Sequence, residues 1–280
     1  MPGLHIVVDS TADVPPDLRS INRISVVPVL LHRGNQTLRD DIDISRDAFY
    51  AWLMSGDRHP QTAAPTVAMF EEVFGELAAD GSPILSISVA ATLSATYTAA
   101  CQAAQRLPGA QIVCIDSGSI AMPLSYLALA AADAARAGAT LTEVVALVEQ
   151  LRQQLTAYVA LDTLRYLERG GRISRIQALV GGMLDLKPIL EVRDGTIRAV
   201  ERLRSRRRVA ERLIEHARAR GRYAELSVMY TTDRAAAAEL ADQCAAAGLM
   251  VRERIRSVQI GAVLGAHMGP GALAVTGMLA

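Results

Sequence analysis

The stretch ILSISVAATLSATYTAACQAAQRLPGAQIVCIDS, residues 84–117, decides the fold class. A short apolar run, Ile84 to Val89, gives way to an alanine-rich helical stretch from about Leu93 to Arg106. A second short run, Ile112 to Ile115, follows it. Strand, helix and strand in that order make a parallel βαβ unit, whose strands are apolar because helices cover both faces of the sheet. The same alternation continues outward. Toward the start lie strand candidates at Ile6-Val7-Val8 and Ser25 to Leu31, then helices over Ser45 to Met54 and Val67 to Ala79; toward the middle lie helices over Ala121 to Arg136 and Leu141 to Leu155. Ser45 and Thr66 stand where an N-cap hydroxyl is wanted, and Pro65 marks the break before the second of these helices.

From Tyr158-Val159-Ala160-Leu161 onward the pattern changes. An apolar strand leads to a short helix ending at Gly170-Gly171, where the first glycine can take a left-handed C-cap. Ile189 to Val192 and Ile197 to Val200 read as a hairpin joined by Arg193-Asp194-Gly195-Thr196, because Asp-Gly favours a tight turn. Helices over Arg207 to Arg220 and Ala235 to Ala247 flank strands Leu226 to Tyr230 and Val251 to Ile255. The sequence thus predicts an α/β protein, with an N-terminal parallel-sheet domain over residues 1–156 packed on a smaller C-terminal α+β domain over 157–280.

The charge distribution supports that division. Residues 1–150 carry 8 basic and 16 acidic side chains and residues 151–280 carry 21 and 13, so a net charge of zero hides halves of opposite sign. Lys187 is the one lysine, and the remaining basic residues are arginine, a compositional preference rather than a phosphate-binding design. Two arginine clusters stand out: Arg165, Arg169, Arg172 and Arg175, and then Arg202, Arg204, Arg206, Arg207 and Arg208. Nucleic-acid binding is not expected, because no aromatics are interleaved for stacking and the acidic first half repels a polyanion. A solvated helix face or a protein-docking surface fits these clusters better.

With 51% hydrophobic residues and only 4% aromatics, the core is built from aliphatic side chains, with nine Met to fill irregular gaps. No leader-like segment and no uninterrupted apolar stretch of membrane-spanning length is apparent, so a cytoplasmic protein without stable membrane insertion is expected. Cys101, Cys114 and Cys244 have neither zinc-site nor disulfide spacing and read as buried free thiols. Dinucleotide, P-loop, zinc-protease and nucleophile-elbow signatures are all missing, and neither a cofactor nor a metal is expected.

Parallel sheets bind ligands beyond the carboxyl ends of their strands. Asp9-Ser10-Thr11, Thr92-Leu93-Ser94-Ala95-Thr96 and Asp116-Ser117 fall there. Ser94 stands at the start of a helix, as a plain N-cap or as part of an anion site. His267, in Gly265-Ala266-His267-Met268-Gly269-Pro270-Gly271, reads equally as a turn residue, a general base or a donor to an anion.

Several segments together resemble one family, the DegV proteins. They are Val8-Asp9-Ser10-Thr11-Ala12-Asp13, Thr62-Ala63-Ala64-Pro65-Thr66, Leu93-Ser94-Ala95-Thr96-Tyr97 and Ile115-Asp116-Ser117, followed by Gly170-Gly171-Arg172-Ile173, Lys187-Pro188-Ile189-Leu190 and His267-Met268-Gly269-Pro270-Gly271-Ala272. Each is weak alone; their order across nearly the whole chain is specific. The resemblance implies a non-catalytic carrier that buries one long-chain fatty acid. It also implies a role as the lipid-binding subunit of a bacterial fatty-acid kinase, presenting the carboxylate to a separate ATP-binding partner for conversion to acyl phosphate. The family's head-group contacts carry over to Thr62, Ser94 with Ala95, and His267.

Departures from the family pattern thin out this site. Ala63-Ala64 stand for Ser-Gln, Ala90-Ala91 for a serine pair, Ala95 for a glycine and Met268 for a threonine. They remove hydroxyls and narrow the backbone freedom expected near the head group. A rival reading is an acyl hydrolase with Ser94 as nucleophile, His267 as base and Asp9 or Asp116 as orienter.

Overall fold

Residues 84–117 fold as strand, helix and strand, and the elements around them complete the sheet. The computed structural model describes residues 3–56, 59–178 and 187–280. The first half supplies strands β1 (His5–Asp9), β2 (Ser25–Val27), β3 (Leu30–Arg33), β4 (Gln36–Arg39), β5 (Gln61–Ala63), β6 (Ile84–Ser88) and β7 (Ile112–Asp116). Its helices are α1 (Pro16–Ile21), α2 (Arg46–Met54), α3 (Val67–Ala78), α4 (Thr96–Gln105), α5 (Met122–Arg136) and α6 (Leu141–Leu151).

Strands β2, β1, β6 and β7, in that order, form an all-parallel sheet. Successive side chains of β1 serve opposite layers, as strand geometry demands. Val7 packs with Phe70, Phe74 and Ala100 of α3 and α4, whereas Ile6 and Val8 pack with Leu124, Leu127 and Val144 of α5 and α6. The hydroxyls of Ser45 and Thr66 accept from Ala48 N and Met69 N and cap α2 and α3 as expected. The run from Ser25 to Leu31 is not one strand. Pro28, which has no N–H to give a ladder, separates β2 from β3, and β3 turns away into a small antiparallel sheet of order β4-β3-β5.

The second half supplies β8 (Leu155–Ala160), β9 (Ile176–Gln177), β10 (Lys187–Arg193), β11 (Thr196–Leu203), β12 (Tyr223–Tyr230), β13 (Arg256–Gln259) and β14 (Leu273–Leu279), with helices α7 (Arg165–Arg169), α8 (Val209–Arg220), α9 (Arg234–Ala246) and α10 (Ala262–Met268). The strands form one mixed sheet of order β13-β12-β14-β8-β10-β11-β9. Asp194 and Gly195, both at positive φ, close the β10–β11 hairpin as their types predict.

Further expectations change. The helix expected over Leu141 to Leu155 ends at Leu151, and Leu155 opens β8. The strand expected at 251–255 begins at Arg256, after a short 3-10 turn. The left-handed glycine after α7 is Gly171, at φ +69°, rather than Gly170. The glycine-rich run around His267 holds a helix, α10, which lies against Phe49 and Tyr50 of α2 and Leu31 of β3.

The large sheet uses its two faces differently. Tyr158, Ala160 and Ile189 pack with Leu213 of α8 and Leu240 of α9. Val159, Leu161, Leu190 and Val192 turn to the other side, where they meet Ile120, Met122 and Tyr126 of the first half. Cys244 is buried and Cys101 and Cys114 half-buried, all as free thiols. Among the described residues no helix is long and apolar enough to cross a membrane.

Candidate functional site

On that second face the packing is incomplete. A narrow cavity of about 800 Å³, counting its open mouth, runs between the large sheet, the loops at the carboxyl ends of β1 and β6, the end of β5, and α10. Val159, Leu161, Leu190, Val192 and Ile197 make its floor, with Val263, Leu264 and Met268 of α10 and Ala63-Ala64 closing over it. Its polar lining residues, among those described, are Thr11, Thr62, Ser94, Arg172 and His267.

Two of these hydroxyls are backed by a second polar group. Thr62 Oγ1 lies 2.9 Å from His267 Nε2, a contact that joins residues 205 positions apart. Ser94 Oγ lies 2.8 Å from Thr96 Oγ1 and accepts from Thr96 N at 3.3 Å. Thr11 is committed elsewhere: its Oγ1 donates to Asp9 Oδ1 at 2.5 Å. A hydroxyl has one proton and two lone pairs, so if Thr62 and Ser94 accept from their backing groups, both protons are free to point into the cavity.

Burial lowers the His267 pKa to about 4, with Arg172 and His59 adding to the effect, so the imidazole is neutral at pH 7. Its Nδ1 has no hydrogen-bond partner. The ring abuts Gly170, where a Cβ would lie 2.2 Å from Nδ1, which explains why a glycine stands there without needing a left-handed φ. Positive charge comes instead from Arg172, half-buried, held by its bonds to Gly170 O at 2.9 Å and Leu93 O at 3.4 Å. The sequence alone puts this side chain in a cluster that reads as a solvated helix face or a protein-docking surface. Its inclusion in Gly170-Gly171-Arg172-Ile173 was the signal that it serves the cavity.

Of the expected site residues, the structure brings Thr62, Ser94 and His267 to the cavity wall, and Ala95 does not reach it. Ala95 is the exposed N-cap of α4, with φ −78° and ψ 5°. That backbone suits any L residue, so losing the motif glycine does not restrict it. Since α4 starts at Thr96, Ser94 precedes its cap and bonds Thr96 instead of N-capping the helix.

A hydrolase triad is not assembled among the described residues. His267 Nε2 faces Thr62 rather than Ser94. Asp9 is occupied by Val89 N at 2.8 Å and by Thr11, and Asp116 Oδ1 by Ala91 N at 3.1 Å and Gly118 N at 2.9 Å. These carboxylates fix the loops at the strand ends. Parts of the second arginine cluster are likewise structural: Arg206 bridges Asp162 at 3.0 Å and Gly271 O at 2.9 Å, and Arg208 pairs with Glu211 at 3.0 Å.

Comparison with known proteins agrees on one family. The profile described as "Uncharacterised protein, DegV family" matches residues 3–278. A DegV domain-containing protein of Streptomyces coelicolor is 36% identical over 279 residues, covering 96% of each chain. A DegV family protein from Thermus thermophilus, solved in a study of its fatty-acid binding, superposes with TM-score 0.90 at 30% identity over 99% of this chain and all of that one. The fatty-acid-binding DegV of Bacillus subtilis gives TM-score 0.88 at 26% identity over the whole of both chains.

Proposed function

The chain belongs to the DegV family, and from that premise we propose that it is a non-catalytic carrier of one long-chain fatty acid, which it presents to a separate ATP-dependent fatty-acid kinase for phosphorylation. The observation that carries this reading is the cavity: apolar along its length, with hydroxyls, one imidazole and one guanidinium as its polar groups among the described residues. An acyl chain entering it gains about 0.8 kcal/mol per CH₂ buried, and a small polar terminus then suffices to orient it.

In this proposal the carboxylate accepts from the hydroxyls of Thr62 and Ser94. Neutral His267, with its proton on Nε2, donates to Thr62 Oγ1 and so turns the threonine proton toward the ligand; Arg172 supplies the countercharge. One carboxylate oxygen toward the mouth is what a phosphoryl donor would need. The partner would dock on the arginine-rich surface that includes Arg202 and Arg204, and the division into residues 1–156 and 157–280 would place the ligand at the junction of two domains.

Solvent extraction of the purified protein followed by mass spectrometry tests the carrier reading. About one fatty acid per chain is expected; no lipid, together with no uptake of added oleate or palmitate, would overturn it. The kinase step is tested by adding an ATP-binding kinase subunit and ATP. Acyl phosphate should form, and replacing Arg202 and Arg204 should weaken co-purification while leaving fatty-acid content unchanged.

A further inference from the structure

The opposite end of α10 from His267 sits on a buried acidic cluster that the carrier reading does not use. Asp13 and Asp40 are 1% and 2% exposed. Asp13 Oδ1 accepts from Gly261 N at 2.8 Å, at the helix start, and meets Arg46 Nη2 at 3.1 Å. Asp40 Oδ2 accepts from Ser10 Oγ at 2.8 Å. Asp13 Oδ2 and Asp40 Oδ1 have no partner.

The charged groups facing this pair come from every surrounding element. Arg46 of α2 also pairs with Asp41 at 2.7 Å and donates to Gln259 O. Tyr50 of α2 is spent on Ile260 O at 2.9 Å. Arg19 of α1 and Asp9 line the adjoining small cavity with Asp40, Asp41 and Arg46, and both Asp9 oxygens already accept hydrogen bonds. One guanidinium therefore pairs directly with both Asp13 and Asp41 and acts on Asp40 only through space, while Asp40 itself accepts from the Ser10 hydroxyl and from the Ala262 N–H. A buried carboxylate without a countercharge takes up a proton.

We propose that Asp13 and Asp40 hold one proton between them, that this proton seats the N-terminal end of α10, and that its loss on alkalinisation loosens the helix carrying His267 and lowers retention of the acyl ligand. The last step rests on the fatty-acid reading above. Burial pushes both carboxyls up to about 7, opposed at Asp13 by Arg46 and reinforced at Asp40 by Asp41. Because these values are raised above the ordinary carboxylate value of 3.8, the stabilisation is complete only below that value, is lost progressively as pH rises from there, and is gone once pH has passed about 7. The helix transmits the change because it is pinned midway: a Cβ on Gly265 would lie 2.5 Å from the Tyr50 hydroxyl, so α10 has no slack against α2.

The test compares wild type with Asp40→Asn, which keeps the shape of the protonated acid, at about one unit below and one above pH 7. Wild type should show a carboxylic-acid C=O infrared band that titrates between the two conditions, a thermal midpoint that falls by several degrees, and severalfold weaker retention of oleate. Asp40→Asn should lose the band, keep flat profiles, and exceed wild type in midpoint on the alkaline side. Asp13→Asn serves if the first variant fails to fold, and the wild-type band is read without any variant. No titrating band and a flat wild-type midpoint would overturn the shared proton. A midpoint that shifts while retention does not would overturn the coupling to His267. If oleate binds under neither condition, the carrier reading fails, and the infrared and melting profiles still decide the acid pair.

Discussion

The two faces of the large sheet are built from the same strands by the same alternation, yet one is filled and the other is not. Toward α8 and α9, Tyr158, Ala160 and Ile189 are met by Leu213, Ala217 and Leu240, every one of them buried. One residue along each strand, Val159, Leu161 and Leu190 are just as buried but border open space. Burial of a side chain and completeness of packing are therefore separate properties, and only the first is visible in a hydrophobic pattern. A close-packed face contributes dispersion contacts on all sides, whereas a face beside a void forfeits part of them until a ligand restores it.

Truncation should separate the two faces most strongly. Leu213→Ala opens a hole in a filled layer and is expected to cost about 2–5 kcal/mol of unfolding free energy, with fatty-acid content unchanged. Leu190→Ala enlarges an existing cavity and, in ligand-free protein, should cost at most about 2 kcal/mol. Denaturant titration of delipidated protein measures both. Equal costs would mean that the cavity is closed in solution and that the faces do not differ.

That difference marks where the sequence stops being informative. The parallel sheet was legible because each strand is a short apolar run and the helices start at side-chain caps such as Ser45 and Thr66. The small sheet was not, because β5 is three residues long and Pro28 hides the change of direction between β2 and β3. The helix carrying His267 was obscured by Gly265, Gly269 and Gly271, which ordinarily argue against a helix. Gly265 lies inside it because the Tyr50 hydroxyl occupies the place of a Cβ. Arg172 was hidden among arginines of the same type, and its direction is set by the turn at Gly170 and Gly171, a matter of backbone rather than residue type. The Thr62 to His267 contact spans 205 positions, and no local pattern could propose it; the family resemblance assigned both residues to the head group but did not pair them with each other.

Filling the open face is the next largest perturbation, and it acts on function rather than stability. Val192 lines the cavity on β10, and Val192→Phe would put an aromatic ring where the acyl chain is proposed to lie. Fatty-acid content by mass spectrometry should drop at least tenfold, the equivalent of about 1.4 kcal/mol. The thermal midpoint of delipidated protein should stay level or rise, since the ring replaces void rather than neighbours. A collapse in midpoint would show that the site is packed as tightly as the α8 face.

The smallest effect is expected at Ala95, where the family pattern has glycine. If that glycine were needed for backbone freedom at the polar end, Ala95→Gly should raise affinity for oleate. The geometry argues otherwise: φ −78° lies in a region open to all residues, the side chain is exposed, and Ala95 does not line the cavity. Glycine is a somewhat better N-cap than alanine but loses more backbone entropy on folding, so the two contributions oppose each other. The stability change should stay within about 0.5 kcal/mol, and oleate affinity within about twofold. A larger gain in affinity would place the first turn of α4 in contact with the carboxylate, and the boundary of the open face would then have to be extended from Ser94 to the helix itself.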